Sequence, residues 1–258
     1  MSTPQTVKAQ IQSLIDQANA TTGNEDTDLT SAVGALVSGF GQGGSGEDES
    51  VLTYKHLGSI YYLFCRFTFP ETIKEVVIDV EEPLYNYLAY AFKDSKGCEK
   101  VTVKVKNLDP NIVYDCSSML MNSEIVELDL TGIEGENGIY ISVLNYAFSN
   151  ASKLKIIKGN LNTSKIQNIW AYNNAFVCSN SQLEEIRFVE NGIGAGGISF
   201  KYCKKLSDAS IQSITDGLVD LTGQTAQNIE FSKTFEVKLT NEQKATITNK
   251  NWNLLFTS

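Results

Sequence analysis

The chain has 258 residues, 42% of them apolar, which is enough for a substantial core in one large domain or two small ones and too much for a chain disordered as a whole. Its 21 Lys+Arg against 30 Asp+Glu leave a formal charge of −9, the wrong sign for a protein that holds nucleic acid by neutralising phosphates. One histidine, His56, and five cysteines without C-x-x-C spacing argue against His-rich metal sites and a disulfide framework, so no metal or cofactor is expected. No run of about 18 apolar residues crosses a membrane, and residues 1–5 show no secretory signal.

The first predicted elements are two amphipathic helices in a leader spanning residues 1–38. Val7, Ile11, Leu14 and Ile15 form one helical stripe behind Ser2 or Thr3 and Pro4, and Leu29, Val33 and Leu36 form a second that starts near Asp26 or Thr27. Helices this short are marginal in water, so the stripes read as a docking or oligomerisation surface. Residues 39–50 are glycine-rich and acidic, a flexible linker; a phosphate-cradling loop would need a preceding strand and a following helix. The first 50 residues carry a net −6 and the remaining 208 only −3.

From residue 51 to 206 the chain repeats with a period of 28. Phe64, Phe92, Leu120, Phe148 and Phe176 occupy one column, the column before it holds Leu63, Ala91, Met119, Ala147 and Ala175, and a shorter unit follows at Phe200. After each comes an alternating apolar run that predicts a strand, at residues 76–80, 101–105, 126–130, 154–157 and 186–188. One strand per ~28-residue coil predicts an α/β repeat, a leucine-rich-repeat-like solenoid in which the aromatic column becomes an internal ladder. Residues 207–258 predict an α/β C-terminal capping unit. Ile211, Ile214, Leu218 and Leu221 form a helix face behind Ser207, with Gly223 after it. A short strand is predicted at 228–231, a capping box at Thr240 and Gln243 opens another helix, and a last strand covers 252–256.

Ala147-Phe-Ser-Asn-Ala-Ser-Lys-Leu154, Ala175-Phe-Val-Cys178 and Ser199-Phe-Lys-Tyr-Cys-Lys-Lys-Leu206 resemble the A-F-x-x-C-x-x-L core of the BspA-type leucine-rich repeats. The usual unit of that family is nearer 23 residues, and its isoleucine-proline turn is mostly absent here. Residues 6–23 and 28–33, with Leu206-Ser-Asp-Ala-Ser-Ile-Gln-Ser-Ile214 and residues 221–227, are similar to prophage and tail-associated proteins of Gram-positive hosts. The resemblance implies a non-enzymatic phage virion protein, assembled in the bacterial cytoplasm and placed at the tail or baseplate. Its partners would be other virion proteins, through the N-terminal helices, and a host surface protein or glycan. It also implies a homo-oligomer, with a trimer as the usual number. The alternatives are a bacterial adhesin or interaction protein built on the same repeats, and a capsid decoration protein.

Candidate chemistry is sparse. The cysteines read as buried hydrophobes, His56 lacks partners, and a glycosidase would need two carboxylates about 5–9.5 Å apart that no spacing identifies. Asn150 and Asn162 fit a glycosylation pattern that matters only for a secreted chain. The candidate interaction face is the row of outward strand charges Asp79, Lys104, Asp129 and Lys155, completed by Glu185 and Arg187. Stacked strands would set these opposite signs side by side, either to fix register or to form a binding face with tyrosines such as Tyr85, Tyr87 and Tyr140.

Overall fold

The structure is a computed structural model that describes residues 50–56, 64–69, 71–80, 88–166, 175–176 and 182–257. The leader, and the linker apart from Ser50, lie outside them, as do Leu63, Tyr85, Tyr87 and Cys178. In chain order the elements are β1 (Val51–His56), β2 (Glu75–Val80), β3 (Lys100–Val105), β4 (Tyr114–Asp115), β5 (Glu127–Gly132), β6 (Ile139–Val143), β7 (Ile156–Thr163), β8 (Glu185–Ile193) and β9 (Ile198–Phe200). Then come α1 (Asp208–Gly217), β10 (Gln227–Ser232), a 3-10 turn (Lys233–Phe235), α2 (Asn241–Asn249) and β11 (Trp252–Thr257).

The strands form where β-branched and apolar residues alternate with polar ones. Val76, Ile78 and Val80 in β2 and Val101, Val103 and Val105 in β3 are buried, while Glu75, Asp79 and Lys104 on the other face keep contact with water. Between the strands run tight turns whose backbones bond to the next turn along. The Phe64 amide donates to the Ala91 carbonyl (2.6 Å), Phe92 to Met119 (2.9 Å), Leu120 to Ala147 (2.8 Å) and Phe148 to Ala175 (3.0 Å). Each turn carries residues in the left-handed region: Tyr90, Ser118 and Tyr146 in one column, and Arg66, Asp94, Asn122 and Asn150 in another, with φ between 53° and 60°. Asn and Asp tolerate that conformation because their short side chains bond locally. Gly97 (φ 86°) is required for a second reason: a β-carbon there would run into the Phe69 carbonyl. Strand residues and turn residues share one continuous core from Leu52 to Trp252, in which Phe64, Phe92, Leu120, Phe148, Phe176 and Phe200 are all buried.

The architecture is a mostly parallel sheet closed into a half-barrel, and it replaces the expected leucine-rich-repeat-like solenoid with its single strand per coil. The eight-stranded sheet runs β1-β2-β3-β5-β7-β6-β4, with β8 pairing β7 off this path. The departure comes from β4 and β6, which the repeat pattern does not contain, and from the length of β7. Residues 156–158 of β7 pair with β5, Leu161 and Asn162 pair with β6, and β8 lies alongside with two shifts of register. One strand therefore serves three neighbours, the sheet forks, and the register shift between Thr102 and Lys104 adds a bend.

Among the described residues there are two α-helices, both after residue 207. Ser207 caps α1, its Oγ accepting from the Ser210 amide, and Thr240 with Gln243 forms the capping box of α2. Helix α1 stops at Gly217, short of the predicted Gly223. Leu218 bridges to Ile193, the Val219 amide donates to the Ile193 carbonyl, and Lys250 Nζ donates to the carbonyls of Asp216 (2.8 Å) and Leu218 (2.7 Å). Leu218 and Leu221 remain buried, reached by extended chain. A second, three-stranded parallel sheet, β9-β10-β11, follows.

Candidate functional site

Because side chains alternate across a strand, every second residue of β2, β3, β5, β7 and β8 faces away from the core, and these residues build the outer face of the half-barrel. At the N-terminal ends of the strands the register sets Glu75 opposite Lys100 and Lys100 opposite Glu127. Lys100 Nζ lies 3.0 Å from Glu75 Oε1 and 3.9 Å from Glu127 Oε1, and Lys158 Nζ lies 2.7 Å from the same Glu127 oxygen. The chain Glu75–Lys100–Glu127–Lys158 thus alternates in sign across four strands, and the Thr102 hydroxyl donates to Glu75 at 2.9 Å. Lys74–Glu99 (3.1 Å) and Lys153–Glu124 (3.0 Å) flank it. The hydrogen bond from Lys158 to Glu127, reinforced by the charge, raises the Lys158 ammonium. Partial burial pushes the Asp129 carboxyl upward, but the Thr131 hydroxyl and amide, with Lys158 and Lys100 nearby, outweigh it and hold the group below the ordinary carboxylate value.

The sequence-predicted row is distributed differently. Asp79 faces Lys104 in the adjacent strand, but the register shift sets Lys104 opposite Gly132, and Asp129 faces Thr102 and Lys158. Lys155 precedes β7; its amide donates to Val126 and its carbonyl accepts from Glu184 and Glu185. Glu185 lies opposite Ile156, and Arg187 opposite Asn160. Sequence reasoning missed Glu75, Lys100, Glu127 and Lys158, although they also alternate in sign, because a strand has several outward positions and the spacing does not say which of them share a rung. Exposed ion pairs contribute little singly, so Lys100→Ala, which breaks two of them beside half-buried carboxylates, is expected to lower stability by roughly 1 kcal/mol at low salt and less at high salt. Urea unfolding at two salt concentrations checks this; an effect independent of salt would rule out an electrostatic role for Lys100.

A second polar column follows the turns. Asn150 Nδ2 donates to Asn122 Oδ1 (3.1 Å), Asn122 Nδ2 to Asp94 Oδ1 (2.7 Å), and Arg66 Nε lies 3.8 Å from Asp94. Asn162 is buried and donates to the Asn137 carbonyl (2.7 Å), a position no glycan reaches, whereas Asn150 is exposed. Tyr140 is half-buried with Lys165 Nζ 5.6 Å above its ring.

An open cleft of about 720 Å³ lies where β8, α1 and α2 meet. Its polar groups serve the fold. Gln212 donates to Asp216 (2.8 Å) and accepts from Gln243 (2.9 Å), Ser213 bonds the Phe188 backbone, and Lys250 caps α1. Burial holds the Lys250 ammonium below its usual value against the pull of Asp216 and Glu190. Cys98, Cys116 and Cys203 are buried, and desolvation raises all three thiols, Cys98 to about 11. Among the described residues no group of three or more His, Cys, Asp or Glu side chains could hold a metal, and no helix is long and apolar enough to cross a membrane.

Fold and face together define a class: a parallel β half-barrel whose broad outer surface is polar and carries charges of both signs. In comparisons with protein-family models, curated proteins and solved structures, nothing matches the chain.

Proposed function

We propose that the protein is a non-enzymatic interaction protein that binds through the outer face of its half-barrel, and that it works as a tail or baseplate component of a phage virion, contacting a host surface protein or glycan. The observation that supports the binding face is the division of its charges. Glu75, Lys100, Glu127 and Lys158 engage one another, whereas Asp79, exposed Lys104 and exposed Arg187 stand toward the other end of the strands, outside that ion-pair network. Charges already paired within a face fix its register; charges outside the pairing are available to a partner. The virion placement rests on the likeness of residues 6–23, 28–33, 206–214 and 221–227 to tail-associated proteins, and the N-terminal stripes would supply the docking to other virion proteins.

The test combines location and binding. A tag on this chain is imaged on purified particles, and adsorption to host cells is measured for particles carrying Lys104→Glu with Arg187→Glu. Label at the tail tip and an adsorption loss of about tenfold or more, equivalent to about 1.4 kcal/mol, are expected. Label on the capsid, or unchanged adsorption by a folded double variant, overturns the reading.

A further inference from the structure

Strand β11 is bound along one edge only. Its register with β10 runs without interruption from Gln227↔Trp252 to Ser232↔Thr257, and among the described residues no strand pairs its other edge. Soluble proteins protect such an edge with lysines, prolines, bulges or very short strands. The six residues of β11, Trp-Asn-Leu-Leu-Phe-Thr, contain no charge and no proline, and their pairing has no bulge. Trp252 is buried, Leu254 and Phe256 are half-buried against the core, and Leu255 stands 40% exposed on the opposite face beside Asn253. An open row of backbone donors and acceptors next to apolar side chains selects an extended strand as its partner.

We infer that this edge pairs with the same strand of a second copy of the chain, antiparallel, about a two-fold axis that passes through Leu255 perpendicular to the sheet. Such an axis continues each face of one sheet into the same face of the other, so only residues of equal parity meet. With the axis at Leu255, Leu255 meets Leu255 of the partner subunit, Leu254 meets Phe256 of the partner subunit, and Asn253 meets Thr257 of the partner subunit. Each pair matches apolar with apolar or polar with polar, and no charge is brought against another. Placing the axis at Leu254 sets Asn253 against a leucine, and placing it at Phe256 sets Leu255 against a threonine. Of the two axes that pair five residues of the strand with five, at Leu254 and at Leu255, only the second matches throughout, and that favours a second copy over an unrelated strand. A single strand pair is small beside the roughly 1,200–2,000 Å² of stable interfaces, so the dimer is concentration-dependent.

Two measurements on the full chain test this. In sedimentation velocity over about 1–200 µM, the wild type is expected to pass from monomer to dimer, and Leu255→Lys, which sets two ammonium groups face to face on the axis, is expected to raise the dissociation constant at least tenfold. Residues directly opposite in an antiparallel pair have Cβ atoms about 4.5–5.5 Å apart, within reach of a disulfide for small shifts. Leu255→Cys under mild oxidation is therefore expected to form a covalent dimer, while Asn253→Cys, whose counterpart lies about four residues along the partner strand, is expected to form none above the wild-type level. A wild type that stays monomeric throughout, a trimer insensitive to Leu255→Lys, or equal cross-linking by the two cysteine variants overturns the inference, and would assign the edge to a different strand.

Discussion

Phe148→Ala is expected to destabilise the protein by roughly 3–5 kcal/mol, the cost of emptying a fully packed aromatic site. Phe148 is 1% exposed, and its ring lies 5.2 Å from that of Phe176 at an interplanar angle of 28°. Its column continues through Phe200, 4.8 Å beyond Phe176, to Phe231 at 6.0 Å, and at the other end Phe64 stacks on Phe92 at 5.2 Å. The surroundings are poorly able to collapse into the space left behind. The Phe148 amide bonds to Ala175, its carbonyl accepts from Ala151, and Leu120 is tied to Ala147, so the turns above and below hold their spacing by backbone bonds that the substitution leaves intact. Phe148→Leu, which keeps most of the volume, is expected to cost about 1–1.5 kcal/mol. Urea unfolding with an unchanged m-value measures both; a loss below about 1 kcal/mol for the alanine variant would show that the column is not a close-packed ladder.

Stability is also expected to fall steeply above about pH 8.5. Burial raises the thiols of Cys98, Cys116 and Cys203, so each stays protonated in the folded chain while its unfolded counterpart ionises near pH 8.5. The stabilising contribution of a raised group is complete below the unfolded value and is lost as pH climbs toward the folded one, which for Cys98 is about 11 and for the other two is higher. Once the unfolded thiols are ionised, each costs about 1.4 kcal/mol per pH unit, so the three together cost about 4 kcal/mol per unit near pH 10. Tyr114, pushed up to about 12 by burial, adds to the slope from about pH 10. Unfolding under reducing conditions from pH 7.5 to 10.5 reads the slope, and Cys116→Ala is expected to remove about a third of the thiol part. Equal slopes for the variant and the wild type would mean that the Cys116 thiol ionises in place within the folded chain.

Much of the core was legible from residue pattern. The 28-residue column is buried at Phe64, Phe92, Leu120, Phe148 and Phe176, and the strands expected at 76–80, 101–105, 126–130, 154–157 and 186–188 coincide in part or whole with β2, β3, β5, β7 and β8. The side chains at Ser207, Thr240 and Gln243 act where their capping pattern places them, since a cap is decided within four residues. The candidate face was legible only as a kind of surface. Asp79 and Lys104 do face each other, yet the working chain of ion pairs runs through Glu75, Lys100, Glu127 and Lys158, because the pairing register sets Lys100 opposite Glu127 and Asp129 opposite Thr102, two residues short of Lys104.

The sequence by itself determined which side chains turn inward, where the alternating strands lie, how the two C-terminal helices begin, and that Cys98, Cys116 and Cys203 are buried, whereas Cys65 is only half-buried. These depend on local period and on hydrophobicity, and both can be read within a window of a few residues. Only the tertiary structure decided that Tyr114–Asp115 and Ile139–Val143 are strands, that Ile156–Thr163 is shared among three neighbours, and that the sheet becomes a half-barrel in place of a uniform stack of coils. Backbone pairing joins residues some 22–31 positions apart, and its register is set by turn lengths and bulges that leave no mark in side-chain period.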